Sequence, residues 1–131
     1  MSAGYSGKPL GQKLGLRAGL RCAIHQPPRD YATLVEQPLA GLSFPATGPF
    51  DFIHAFVAGQ AELTTGLPAW LAQLAPAGML WVSWPKKRSP RFRDLTEDGV
   101  RAQALPLGLV DIKVCAVDAD WSALKLVRRK S

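Results

Sequence analysis

Two stretches with little charge, GPFDFIHAFV at positions 48–57 and APAGMLWVSW at positions 75–84, decide the fold. Each ends in a run of aromatic and aliphatic residues, which is typical of a strand covered on both faces of a sheet. Between them, apolar residues recur at spacings of three and four over residues 60–75, the period of an amphipathic helix. The sequence therefore predicts a strand–helix–strand unit in which a helix connects two parallel strands.

Shorter elements precede this unit. A short helix is predicted at 9–16, and residues 20–25 are predicted to form a first strand. The proline pair at 27–28 ends that strand, because proline has no backbone N–H to donate. Asp30 is then a suitable N-cap for a helix that continues to about Gln37.

Further elements follow the central unit. A helix is predicted from about Asp94 to Leu107, with Asp94 or Thr96 as its cap. Strands are predicted at 109–117 and 123–127. The connection between these strands is too short for a crossover helix, so we expect them to be antiparallel neighbours.

Together these elements predict a single α/β domain over residues 1–131. Its sheet is expected to be mostly parallel with an antiparallel C-terminal strand, and helices should cover both faces in a three-layer arrangement. A length of 131 residues suits one domain that buries roughly two thirds of its unfolded surface on folding. Residues 1–7 are small and polar, and we expect them to form a flexible arm.

The composition excludes several classes of protein. With 47% hydrophobic and 20% charged residues, the chain is unlike a disordered protein. Two cysteines, Cys22 and Cys115, are too few for a disulfide scaffold or a four-cysteine zinc site, and Cys22 and His25 point to opposite faces of a strand. No signal peptide is evident, and proline and glycine interrupt the uncharged stretch 63–85. We therefore expect a cytoplasmic protein with no membrane span and no metal.

The net charge of +6 is unevenly distributed. Thirteen of the 16 Lys and Arg residues lie in three segments, at 8–21, 86–93 and 125–130, whereas the rest of the chain is net acidic. The densest segment is the basic loop, residues 85–93, which follows the carboxyl end of a predicted parallel strand, where open α/β sheets bind ligands. Its cations are Lys86, Lys87, Arg88, Arg91 and Arg93.

Two interpretations of the basic loop remain open. Its cations could hold phosphates while Phe92 stacks on a base, or the loop could simply be a solvated segment that keeps the protein soluble. The candidate ligand site also includes Trp84, Trp121, Ser122 and Lys125, which lie at the end of the preceding strand and on or beside the last turn. A role for Trp121 as a core anchor is the simpler alternative.

Three segments carry a resemblance to a known fold. GPFDFI at 48–53, LAPAGML at 74–80 and the stretch 108–128 resemble the fourth strand, the lead into the fifth strand and the closing antiparallel pair of class I S-adenosylmethionine-dependent methyltransferases. The resemblance covers about residues 48–128. It implies a Rossmann-like, methyltransferase-like sheet. If the strand order matches this resemblance, we expect the turn between the last two strands at the edge of the sheet opposite the starts of the crossover helices.

Further motifs run along nearly the whole chain. They are MSAGYSG at 1–7, KLG at 13–15, WPKK at 84–87, DLTE at 94–97 and WSALK at 121–125. In this order they resemble an uncharacterised bacterial family, domain of unknown function 3052. That family has no established activity, so the resemblance implies no function.

The methyl-donor site of the methyltransferases is not matched. In that family a glycine-rich turn after the first strand lets backbone N–H groups approach the cofactor, and an acid ending the second strand holds its ribose. Here HQPPRD at 25–30 has no glycine and two prolines. Only 24 residues separate His25 from Phe50, which is room for one helix and at most one short strand. We therefore expect a reduced scaffold without a cofactor.

Three functions remain open at this point. The sequence favours a non-catalytic binding module whose basic loop takes an anionic ligand or nucleic acid. The alternatives are a divergent S-adenosylmethionine-dependent methyltransferase or other small enzyme, and an adaptor subunit that binds a protein partner or forms a homo-oligomer. No Gly-x-Ser-x-Gly elbow, phosphate loop or pair of catalytic carboxylates is present, and His54 is expected to be a buried, hydrogen-bonded core residue.

Overall fold

Ten segments of regular secondary structure lie in residues 8–130, the part of the chain that the computed structural model describes. In chain order they are α1 (Leu10–Leu14), β1 (Cys22–His25), α2 (Tyr31–Val35), β2 (Phe50–Phe56), α3 (Gln60–Gln73), β3 (Leu74–Pro85), α4 (Glu97–Ala104), a short 3-10 helix (Leu105–Leu107), β4 (Leu109–Ala116) and β5 (Trp121–Arg128). The expected flexible arm lies outside the described residues. Within residues 8–130, no helix combines the length and the apolarity needed to cross a membrane.

The five strands form one sheet in the order β1-β2-β3-β5-β4. β1, β2 and β3 pair in parallel, and His54 in β2 lies between Ile24 and Trp81 of its two neighbours. β5 runs antiparallel to both β3 and β4, which confirms the expected antiparallel pair. Within the described residues no strand adjoins the free side of β1, where an isolated bridge joins Arg21 to Ser43.

The turn between β4 and β5 lies at the carboxyl edge of the parallel strands. Trp121 pairs with Pro85, the last residue of β3, and the N–H of Lys86 donates to the carbonyl of Asp120 at 2.7 Å. Because α3 and α4 begin after the carboxyl ends of β2 and β3, this turn shares their edge. The prediction that placed the turn at the opposite edge was wrong, because β4 runs in the same direction as β3 and ends on the same side.

An apolar cluster lies against each face of the sheet, because alternate residues of a strand point to opposite faces. On the first face, β2, β3 and β5 contribute residues that pack with α3 and α4, among them Ile53, Leu80, Leu124, Leu63, Leu67 and Val100. On the second face, the same strands contribute residues that pack with α1 and α2, among them Phe52, Trp81, Ala123, Leu14, Tyr31 and Leu34. The inner strands β2, β3 and β5 are thus buried on both sides, whereas β4 is largely exposed.

Side-chain caps begin two of the helices. The carboxylate of Asp30 accepts the N–H of Thr33 at 3.0 Å, which confirms the predicted N-cap of α2. The hydroxyl of Thr96 accepts the N–H of Gly99 at 3.2 Å, so Thr96 rather than Asp94 caps α4. Each of these bonds satisfies one of the N–H groups that a helix leaves unpaired in its first turn.

The end of α3 is set by the sheet and by an arginine from β5. The helix was predicted to reach Ala75 but ends at Gln73, because Leu74 already pairs with Phe50 as the first residue of β3. The guanidinium of Arg128 donates to the carbonyls of Leu71 and Leu74, at 2.7 Å each. The carbonyl of Leu71 also accepts the N–H of Leu74, so Arg128 adds a second donor there and connects β5 to the end of α3.

Candidate anion-binding site

The basic loop connects β3 to α4 at the edge of the sheet where β1 and β2 also end. Its backbone turns around Ser89, which is buried although it is polar. The N–H of Ser89 donates to the carbonyl of Lys86 at 2.9 Å, and its hydroxyl accepts the N–H of Arg91 at 3.1 Å. The loop backbone is therefore held in a turn by its own hydrogen bonds and is not an extended segment.

Lys86 anchors the first part of the loop to the turn between β4 and β5. Its ammonium donates to the carbonyl of Asp118 at 2.8 Å. The Asp118 carboxylate accepts the backbone N–H groups of Asp120 and Trp121 at 2.9 Å each, and the guanidinium of Arg29 at 2.8 Å. Burial raises the pKa of Asp118, but these hydrogen bonds outweigh it and leave the pKa below its usual value.

Arg93 anchors the other end of the loop to α3. Its guanidinium forms an ion pair with the carboxylate of Glu62. Next to it, the carboxylate of Asp94 accepts the N–H of Gln60 at 2.9 Å, at the first turn of α3. The side-chain amide of Gln60 donates in return to the carbonyl of Asp94 at 3.0 Å. Two of the five loop cations, Lys86 and Arg93, thus hold the loop in place.

The other three loop cations are Lys87, Arg88 and Arg91. Their side chains are exposed, and none of them has an ion-pair or hydrogen-bond partner among residues 8–130. Phe92, which lies between Arg91 and Arg93, is half-buried. The loop therefore presents three uncompensated positive charges to solvent from a fixed backbone.

A cavity of about 440 Å³ lies beside the loop, between the end of β3 and the start of α4. Its lining includes Trp84, Lys86, Lys87 and Ser122 of the predicted site. The acidic residues Glu97 and Asp98 also line it, and both form ion pairs with Arg101. Because the lining carries both signs of charge, the cavity suits a simple anion less well than the outward surface of the loop does.

The structure separates the remaining predicted site residues. Trp84 is buried in the first-face cluster, whereas Trp121 is buried in the second-face cluster, where its ring meets that of Phe56 edge-on with centroids 5.4 Å apart. Lys125 pairs with Trp81 in the middle of the sheet, roughly 13 Å along β5 from Trp121. Neither tryptophan is available as an open stacking surface, and Lys125 does not lie at the basic loop.

The prediction that His54 is a buried, hydrogen-bonded core residue is confirmed. It is fully buried, with Nδ1 2.7 Å from the hydroxyl of Tyr31 and Nε2 2.7 Å from the hydroxyl of Ser83. Burial lowers the pKa of His54 to about 3, so the imidazole is neutral at physiological pH. The three side chains link α2, β2 and β3 inside the second-face core.

Sequence reasoning missed the acidic residues that hold the loop. Glu62 and Asp118 carry no local motif, and only the folded chain brings them to Arg93 and to Arg29. The one available signal was indirect, namely that acids are absent from the basic loop itself. Among residues 8–130, no group of three or more His, Cys, Asp or Glu side chains is placed to hold a metal ion.

Solved structures of two proteins share the architecture of this chain. LepI in complex with SAM matches over 92% of the chain at a TM-score of 0.55 and 12% identity, and the chain spans 39% of LepI. The N-methyltransferase NodS from Bradyrhizobium japonicum WM9 matches over 83% of the chain and 73% of its own length, at a TM-score of 0.50 and 15% identity. The fold is methyltransferase-like. At such identities the likeness extends to the fold alone.

The predicted mixed α/β fold is thereby confirmed at the level of a five-stranded sheet with helices. No family model matches the chain, and no curated protein matches it either. The resemblance to domain of unknown function 3052 therefore stays a prediction carried by the sequence motifs.

The loop after β1 does not fit the methyl donor that this fold implies. Pro27 and Pro28 offer no N–H groups, and Gln26 has a φ of 51°, in the left-handed region that favours glycine. Arg29 is ion-paired to Asp118 across the edge of the sheet. Within residues 8–130, no strand lies on the free side of β1, on which an acid could be presented to a ribose. The residues present do not form an S-adenosylmethionine site.

Proposed function

We propose that this chain is a non-catalytic, nucleic-acid-binding protein built on a reduced, three-layer methyltransferase-like scaffold. The observation that carries the proposal is the set of three exposed, unpaired cations, Lys87, Arg88 and Arg91, on a loop that other contacts fix at the carboxyl edge. Open α/β sheets bind ligands at this edge, and Lys and Arg contacts to phosphates supply most of the affinity of non-specific nucleic-acid binding.

The arrangement favours a polyanion over a single small anion. Arg88 and Arg91 are exposed outside the adjacent cavity, whereas Lys87 lines that cavity together with Glu97 and Asp98. A chain of phosphates can contact Arg88 and Arg91 without entering the cavity, and the exposed side chain of Lys87 is available to the same chain. The guanidinium groups of Arg88 and Arg91 can each bind a phosphate through two parallel hydrogen bonds.

The loop is also prepared for binding before any ligand arrives. Because Lys86 and Arg93 are held by Asp118 and Glu62, the backbone between them is ordered in the free protein. A preorganised loop loses less conformational entropy on binding than a flexible one. The two anchors therefore contribute to affinity although they are not themselves available to phosphates.

The proposal predicts binding of single-stranded DNA or RNA that weakens steeply with salt. Three phosphate contacts give a slope of log K against log salt of about −2, so raising salt from about 50 mM to about 200 mM should weaken binding about 15-fold. Fluorescence anisotropy with a labelled oligonucleotide of about 15 nucleotides measures this directly. No association at the lowest salt, or an affinity that salt does not change, contradicts the proposal.

A divergent methyltransferase is the second candidate, and the fold likeness favours it. A ligand that binds the native state raises the melting temperature by mass action, so S-adenosylmethionine at about 1 mM tests this candidate. Because the loop after β1 does not fit the cofactor, we expect no shift. A saturable rise in melting temperature would favour the enzyme, and co-purification with one defined protein would favour an adaptor.

A further inference from the structure

Two lysines face each other on the second face of the sheet, away from the basic loop. Lys113 in β4 is the direct register partner of Lys125 in β5. Side chains at directly opposite positions of an antiparallel pair have Cβ atoms about 5 Å apart, and like charges placed there destabilise the sheet. This pairing is unfavourable for folding unless something compensates the charge.

A third lysine joins this pair at Cys115. Cys115 lies two residues after Lys113 on the same face of β4, opposite Ala123 and packed against the second-face cluster. Burial raises the pKa of the Cys115 thiol, and the nearby ammonium groups of Lys13, from α1, and Lys113 oppose that rise. Lys13, Lys113 and Lys125 are here called the lysine cluster, in which Lys113 pairs across the strands with Lys125 and shares the surroundings of the Cys115 thiol with Lys13.

No acidic residue compensates the lysine cluster. None of its three members has an ion-pair partner among residues 8–130. All ten acidic residues lie in that range. Nine of them accept a hydrogen bond or form an ion pair elsewhere, and these are Asp30, Glu36, Asp51, Glu62, Asp94, Glu97, Asp98, Asp111 and Asp118. Asp120 lies in the turn at the carboxyl edge, beyond Trp121.

We propose that Lys13, Lys113 and Lys125 form a second anion site, which takes a small ligand carrying a phosphate or pyrophosphate group. The three cations come from three elements, with Lys113 of β4 opposite Lys125 of β5 and both Lys13 of α1 and Lys113 close enough to act on the Cys115 thiol. Three positive charges grouped on one face suit one compact, multiply charged group. Bound there, the anion offsets the repulsion between Lys113 and Lys125. The site is independent of the basic loop, because Lys125 lies roughly 13 Å along β5 from the turn that Lys86 contacts.

Cys115 provides a local readout for this site. Cys22 is buried with 1% of its surface exposed, whereas Cys115 is half-buried, so iodoacetamide should modify Cys115 in the folded protein. Inorganic pyrophosphate at saturation, with ionic strength held constant by NaCl, should slow this alkylation at least about 5-fold, as followed by mass spectrometry. At about ten times its Kd, pyrophosphate should also raise the melting temperature by about 4 °C.

The variant Lys113→Glu distinguishes anion binding by the lysine cluster from a change in the stability of the sheet. Reversing one charge should abolish protection by pyrophosphate, yet raise the melting temperature of the free protein by about 2 °C, because it turns a repulsive cross-strand pair into an attractive one. Lys125→Gln should also abolish protection. The basic-loop variant Lys87→Gln should keep it, so the lysine cluster can fail this test while nucleic-acid binding by the loop stands.

Three results would overturn the second site. The first is alkylation of Cys115 at the same rate with and without pyrophosphate. The second is full protection retained in Lys113→Glu. The third is stronger protection by a single-stranded oligonucleotide than by pyrophosphate at equal phosphate concentration, which would make the cluster part of a nucleic-acid surface instead of a small-ligand site.

Discussion

Replacing Trp81 by Ala is expected to lower the free energy of unfolding by about 4 kcal/mol. Trp81 is fully buried in β3, the central strand of the sheet. Its indole Nε1–H donates to the carbonyl of Leu14 at 2.9 Å and so joins the end of α1 to the sheet. The substitution therefore opens a large cavity in the second-face core and leaves a buried carbonyl without its donor.

Urea denaturation followed by circular dichroism measures this loss, and two further variants define its origin. Trp81→Phe keeps an aromatic ring but no donor, so it should cost about 2 kcal/mol. Ile112→Ala, at an exposed position of β4, should change stability by less than about 0.5 kcal/mol. A loss below about 1 kcal/mol for Trp81→Ala would show that α1 is not held to the sheet through this residue.

Lowering the pH from 7 to 5 is expected to remove about 2 kcal/mol of stability through His54 alone. The pKa of His54 in the folded chain is lowered to about 3, against about 6.5 in an unfolded chain. Below pH 6.5 the unfolded state therefore binds a proton that the folded state does not. Stability falls as the pH falls through this range, and it does so by up to about 1.4 kcal/mol per pH unit.

The free energy of unfolding in urea at pH 7, 6 and 5 tests this dependence. His54→Gln should lower stability at pH 7, because the contacts to Tyr31 and Ser83 are disturbed, but it should flatten the fall between pH 7 and pH 5. His25→Gln is the matched control, since the other histidine is exposed, and it should keep the fall. Equal pH dependence in the wild type and in His54→Gln would contradict the assignment.

The main elements of the fold could be predicted because their patterns are local. The apolar runs of β2 and β3, the helical spacing of α3 and the cap at Asp30 each express a preference of a short segment of chain. The boundaries and positions that were predicted less well depend on how distant strands pair in the sheet. α3 ends at Gln73 because Leu74 is in the sheet, and the last turn lies at the carboxyl edge because of the direction of β4.

The candidate site was predictable in composition but not in geometry. The sequence indicates that residues 85–93 are rich in cations and follow a strand. It does not indicate that Lys86 and Arg93 are engaged, because their partners Asp118 and Glu62 lie about 30 residues away and meet them only through the topology of the sheet. Lys125, close to Trp121 in sequence, lies on the same face of β5 but roughly 13 Å along the strand from the turn, away from the basic loop.

We propose that three particular loop cations, and not the net charge of +6 as a whole, bind nucleic acid. The most direct test compares two variants that each lose three positive charges. One is Lys87→Gln/Arg88→Gln/Arg91→Gln in the basic loop, and the other is Lys13→Gln/Lys113→Gln/Lys125→Gln in the lysine cluster. Both sets are surface or half-exposed side chains, so both variants should fold.

The decisive measurement is the affinity of each variant for the same labelled single-stranded oligonucleotide at about 100 mM salt, by fluorescence anisotropy. We predict that the loop variant binds about 100-fold more weakly than the wild type and loses most of its salt dependence, whereas the lysine-cluster variant stays within about 3-fold. Equal losses in the two variants, or wild-type binding by the loop variant, would contradict the assignment of nucleic-acid binding to the basic loop.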